Sequence, residues 1–133
     1  MDYAEWNWRF FGFQWLNDNK PVQDWFDGLL DDAKEELRDT IGHLQHLPPH
    51  LWKKPQFDPL TGEDVTEVRF ETATHFYRIY GYYGPKGQRQ SFTFLLGNDK
   101  KIRNDTKGKR EASKRRGYIE RGEAKVHRFE FYR

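Results

Sequence analysis

The segment VTEVRFETATHFYRIYGYYGPKGQRQSFTFLLG, Val65 to Gly97, holds three short runs in which apolar and polar residues alternate. In TEVRFE, Val68 and Phe70 share one parity, and Glu67, Arg69 and Glu71 the other. In HFYRIYGYY, Tyr77 and Ile79 share one parity, and Phe76, Arg78 and Tyr80 the other. GPKGQ is rich in turn formers and predicts a hairpin between the second and third runs. SFTFLLG is apolar enough for a central strand. Three strands joined by short turns predict an antiparallel meander.

Upstream, the period changes. WNWRFFGFQW (Trp6–Trp15) reads as a strand whose apolar phase switches at Phe10–Phe11, which predicts a bulge near Gly12. From Pro21, Val22, Trp25, Phe26, Leu29 and Leu30 fall on one helical stripe. A second helix is expected from about Asp32, with Asp32 and Glu35 as a cap-like pair. Ala33, Leu37, Ile41, Leu44 and Leu47 lie on its inner face, and Pro48-Pro49 ends it. Residues 48–64 read as a loop with a turn at PLTG. Downstream, Lys107 to Gly122 reads as a short basic helix, and VHRFEFYR as a last extended segment. The order β-α-α-β-β-β plus a basic element predicts an α+β fold in one domain over residues 1–133. Two helices cover one face of a small antiparallel sheet, and the opposite face presents arginines.

Composition narrows the function classes. Aromatic residues make up 17% of the chain, so the core must rest on Phe, Tyr and Trp despite a mean hydropathy of −1.09. Cysteine is absent, which excludes disulfides and thiolate zinc sites. The N-terminal region has the character of neither a signal peptide nor a membrane span, so a soluble, cytoplasmic protein is expected. No glycine-rich nucleotide motif occurs. Nor is there a G-x-S-x-G serine. His43, His46 and His50 are a poor metal pattern, because Pro48-Pro49 breaks the helix before His50. Neither a metal nor another cofactor is expected.

The charge is unevenly placed. NDKKIRNDTKGKREASKRRG, Asn98 to Gly117, holds nine Lys or Arg against three acids, although the whole chain is only +2. Residues 1–97 hold ten Lys or Arg against fifteen Asp or Glu. Such a block suits a polyanion or an acidic protein, and equally a solvated helix face. Arg69 and Arg78 are predicted mid-strand on adjacent strands, where like charges repel unless acids or an anion lie between them. Two readings stand open there: an ion-pair lattice with Glu67 and Glu71, or a clamp that grips phosphate through guanidinium groups. Lys100 and Lys101 leave the end of the central strand, toward the same rim.

These pieces, in this order, are similar to the RelE/ParE superfamily of bacterial toxins, over about residues 8–120 and most of all to its HigB-like, phage-derived branch. The residues that carry the likeness are NKPVQDWFDGLLDDAKEELRDTIGHLQHL for paired helices, TEVRFET and FYRIYGYYG for the arginine strands, FTFLLGNDKK for the apolar strand ending in lysines, and TKGKREASKRRGY for the basic helix. The resemblance implies a toxin that cuts mRNA, often on the ribosome, and that a cognate antitoxin, typically a helix-turn-helix protein, neutralises. It implies metal-independent attack of a ribose 2′-OH on the adjacent phosphate. Arg78 would be the phosphate clamp and Arg69 an orienting residue, with Lys100 and Lys101 in substrate contact or proton transfer. Tyr118, His75 and His127 are further proton-transfer candidates. Val65 and Glu67 stand where some members carry lysines, which leaves Glu67 as a candidate general base or shifts that work to the basic segment. Arg103, Lys107, Lys109, Arg110, Lys114, Arg115 and Arg116 are the candidate RNA contacts. The superfamily also holds members that poison DNA gyrase without cutting RNA. The alternatives are therefore a non-enzymatic inhibitor of a protein target, or a plain RNA-binding module.

Overall fold

The computed structural model describes residues 6–99 and 104–132. In chain order these are β1 (Arg9–Gln14), α1 (Pro21–Asp27), α2 (Asp31–Leu44), a 3-10 turn (Pro49–Leu51), β2 (Phe57–Asp58), β3 (Thr66–Glu71), β4 (Phe76–Tyr83), β5 (Ser91–Asn98), α3 (Thr106–Glu120) and β6 (Lys125–Arg128). The described residues form one sheet of six strands in the order β2-β3-β4-β5-β1-β6. The class is α+β, and the meander β3-β4-β5 is antiparallel as the alternation predicts.

The pairing of β1 is non-local. It runs parallel to β5, with Arg9 opposite Ser91, and antiparallel to β6, with Gln14 opposite Lys125. Its register is continuous on both sides, so the bulge expected near Gly12 is not there. The irregularity lies between Tyr80 and Gly81 of β4 instead. The apolar phase switches in β1 because the strand is covered on both faces. Phe10 meets Trp52 and Phe94 on one face, while the Arg115 guanidinium of α3 lies 5.3 Å from the Phe13 ring on the other.

α1 is shorter than its apolar stripe. Gly28 closes it, donating its N–H to the Asp24 carbonyl, and Leu30 is left 62% exposed outside the helix. The expected Asp32–Glu35 cap is also absent: the N-cap is Leu30, without a side-chain cap, and Asp31 and Asp32 favour the helix start through the dipole. α1 docks through Trp25, whose ring stands over the backbone of Gly97 and beside Phe70 and Tyr77. A Cβ at Gly97 would lie 2.4 Å from that ring, so only glycine permits this approach.

The core is a chain of ring contacts, with Phe57, Phe92, Phe94, Trp52, Phe10 and Phe129 all buried. Burying each such side chain contributes about 1.5–3 kcal/mol. After β6 the chain crosses back toward the first helices. Buried Gln23 of α1 accepts from the Glu130 N–H at 2.9 Å and donates to the Glu130 carbonyl at 2.8 Å. Arg38 of α2 donates to the Phe131 carbonyl at 2.6 Å. No helix among the described residues is long and apolar enough to cross a membrane.

Candidate functional site

The site begins with strand parity. Tyr77 packs beside Trp25 of α1, so Arg78 and Tyr80 face the other way, where Tyr80 meets Asp105 at the start of α3. The register sets Arg69 of β3 directly opposite Arg78 of β4. Two guanidinium groups there require a carboxylate between them. Glu67, 4% exposed, provides it: Arg69 Nε donates to Glu67 Oε1 at 2.8 Å, and Arg78 Nε lies 3.9 Å from the same oxygen. Arg69 also donates to Asp58 Oδ2 at 2.7 Å. Burial alone would depress the Arg69 pKa, but Glu67 and Asp58 outweigh it and raise it. Burial likewise pushes the Asp58 carboxyl up, and the Leu60 N–H with the Arg69 and Lys54 charges brings it below the usual range.

These groups line a cleft of about 330 Å3 with Phe76, Tyr80, Asp105 and Lys109. Three of its lining residues are cationic (Arg69, Arg78, Lys109) and three acidic (Asp58, Glu67, Asp105). The cleft is thus close to neutral, so an anion would enter it only if drawn in by charge elsewhere.

That charge lies on α3. A larger groove of about 740 Å3 runs along the helix, lined by Lys109, Arg110, Lys114 and Arg121 against one acid, Glu63. Lys109 lines both cavities. α3 can carry Lys109, Arg110 and Lys114 outward because the residues it buries in its first turns, Gly108 and Ala112, are small.

The sequence candidates divide accordingly. Arg69, Arg78 and Glu67 are brought together in an ion-pair lattice, with Asp58 in the place expected for Glu71. Lys109, Arg110 and Lys114 line the groove, and Lys107 is exposed at the start of α3. Lys100, Lys101 and Arg103 lie outside the described residues. Arg115 is corrected from a solvent-facing contact to an inward one. Its Nη1 donates to the Leu95 carbonyl at 2.9 Å, and its guanidinium sits near the Phe13 and Trp15 rings. Burial lowers its pKa, with Glu111 opposing. Arg116 is partly committed too: it lies 4.7 Å from the Tyr82 ring, pairs with Glu120 and donates to the Asp64 carbonyl.

Tyr118 lines the groove rather than the cleft, between Trp15 and Arg121. His75 stacks on Tyr77, on the helix-covered face, and His127 packs beside Gly12 at the far side of the sheet. Neither histidine lines the cleft. Among the described residues, no group of three or more His, Asp or Glu side chains could hold a metal ion.

Two cleft carboxylates escape strand periodicity. Asp58 arrives on the two-residue β2, inside what reads as a loop. Asp105 is the N-cap of α3, accepting from the Gly108 N–H at 3.0 Å. An acid three residues ahead of that glycine, at the start of a helical run, is a legible cap signal. Comparison with known proteins finds no match to this chain among family models, curated proteins or solved structures.

Proposed function

We propose that this chain is an mRNA-cutting toxin of the RelE/ParE type, with a metal-independent endoribonuclease site in the cleft between β3, β4 and the start of α3. The observation that carries the reading is the buried Glu67 carboxylate set between Arg69 and Arg78, with Lys109 at the rim leading into the cationic groove.

The chemistry needs a base, a charge stabiliser and an acid. Glu67 takes the proton of a ribose 2′-OH, which attacks the adjacent phosphorus. The P–O bond to the 5′-oxygen breaks, leaving a 2′,3′-cyclic phosphate and a 5′-hydroxyl. A positioned acid or base gives about 100- to 10,000-fold. Arg78 faces the charge that develops on the phosphoryl oxygens, a role worth about 3–4 kcal/mol for one well-aimed donor. Arg69, held by Glu67 and Asp58, orients the base. Lys109 supplies the proton to the leaving oxygen, or holds its charge. Lys100 and Lys101 follow Asp99 directly in sequence, and Asn98 is the register partner of Arg78, which supports them as further substrate contacts. The groove on α3 draws in mRNA or ribosomal RNA, or seats an antitoxin of helix-turn-helix type.

The test is cleavage in a translating extract, read by primer extension. The wild type is expected to create new 5′ ends and Arg78→Ala to lose them by about 100-fold or more. Equal cutting by Arg78→Ala sinks the assignment. A second reading, a plain RNA-binding module, is favoured by one observation: Arg69 already spends two of its nitrogens on Glu67 and Asp58, while the α3 groove is cationic on its own. Tight RNA binding without new ends would decide for it.

A further inference from the structure

Asp105 is the most heavily hydrogen-bonded carboxylate of the cleft, and no step assigned above uses it. It is 7% exposed. Its Oδ1 accepts from the Gly108 N–H at 3.0 Å, and its Oδ2 accepts from Asn98 Nδ2 at 2.7 Å and from the Tyr80 hydroxyl at 3.0 Å. Tyr80 in turn accepts from Arg78 Nη1 at 3.4 Å. A directed chain therefore runs from the Arg78 guanidinium through the Tyr80 hydroxyl to Asp105, and ends on the first turn of α3.

We propose that Asp105 is a positioning residue: through Tyr80 it fixes the Arg78 guanidinium, and through its cap it ties that guanidinium to the helix carrying the cationic groove. The inference rests on the nuclease reading above. Three features set it apart from a simple helix cap. A cap needs one carboxylate oxygen, and here the second is turned to Tyr80 and Asn98. Tyr80 is fully buried, so a phenylalanine would fill the same space without desolvating a hydroxyl. Gly108 approaches so closely that a Cβ there would lie 2.0 Å from Asp105 Oδ2, so the helix start is fitted to the carboxylate. Burial pushes the Asp105 carboxyl up, but the donors from Gly108, Asn98 and Tyr80 and the Arg78 charge outweigh it. The group stays ionised, and the hydroxyl between the two charges is polarised in one direction.

The experiment uses the full chain and whichever substrate the wild type cuts, free single-stranded RNA or mRNA-programmed ribosomes. Tyr80→Phe removes the middle of the chain. Asp105→Ser keeps a cap acceptor for the Gly108 N–H and removes the oxygen that meets Tyr80. Each is expected to lower kcat about 10- to 100-fold, the scale of a slightly misplaced catalytic group. KM is expected to stay unchanged, as is affinity for an RNA with a 2′-deoxy nucleotide at the cut. The double variant is expected to be no slower than the worse single one, because both break one chain. If the wild type cuts, Arg78→Ala does not, and Tyr80→Phe cuts like the wild type, the inference is overturned and the nuclease reading stands. Losses that multiply in the double variant overturn it as well. A wild type that cuts nothing removes both. Should Asp105→Ser fail to fold, Tyr80→Phe decides alone.

Discussion

Arg69 and Arg78 face each other across two strands, and one buried carboxylate keeps them there. With Glu67 removed, the guanidinium groups lose their shared partner, and Arg78 has an 8% exposed side chain with little water to replace it. Breaking a buried ion pair from one side costs about 3–5 kcal/mol. Glu67→Gln is accordingly expected to lower unfolding free energy by roughly that amount in urea melts, with unchanged m, while abolishing cleavage. A loss under about 0.5 kcal/mol, the ordinary effect of a surface substitution, would mean that the two arginines do not depend on the Glu67 charge. Strand alternation was enough to put the two arginines and Glu67 on one face. It put Tyr80 on that face as well, but was silent on Asp58 and Asp105, because those contacts depend on which segments fold over the strands.

At the scale of the element, α3 divides its cations by depth. Arg115 is turned against the sheet and serves packing, whereas Lys109, Arg110 and Lys114 keep the groove electropositive. If those three touch phosphates of a single strand, each contributes about 0.7 to the slope of log K against log salt. The triple variant Lys109→Gln/Arg110→Gln/Lys114→Gln is expected to reduce that slope by about 2 in filter-binding titrations. No change in slope would remove the groove from RNA contact. The basic helix was legible as a run of charge, but its two faces were not. Arg115 and Arg116 are adjacent in sequence, and only the packing of α3 on β4 and β5 assigns one inward and the other onto Tyr82. Helix ends were the least legible of all. Leu29 and Leu30 keep the apolar spacing of α1, yet Gly28 ends the helix before them.

For the whole molecule, aromatic rings stand in for a conventional aliphatic core, and this sets an alkaline limit. Burial pushes the Tyr80 and Tyr82 hydroxyls up to about 12. A phenol raised in the folded state stabilises fully below its unfolded value near 10, and the contribution is lost as pH rises from there through about 12. Each group is worth on the order of 2–3 kcal/mol by the top of that window. Thermal melts from pH 9 to 12 are expected to show Tm falling steeply above about pH 10, with a shallower fall in Tyr80→Phe. A flat profile would contradict the burial of these hydroxyls. The class α+β and the meander were legible because alternation is local. The parallel pairing of β1 with β5 and the return of β6 were not, since no local pattern encodes a partner far along the chain.

That long-range pairing has a consequence during synthesis. β1 is made well before its sheet neighbours, β5 and β6. The Gln23 side chain likewise waits for the backbone of Glu130. A nascent chain therefore holds the aromatic side chains of β1 without their strand partners until β5 has been translated. The six-stranded sheet that carries Arg69 and Arg78 is complete only once β6 has followed.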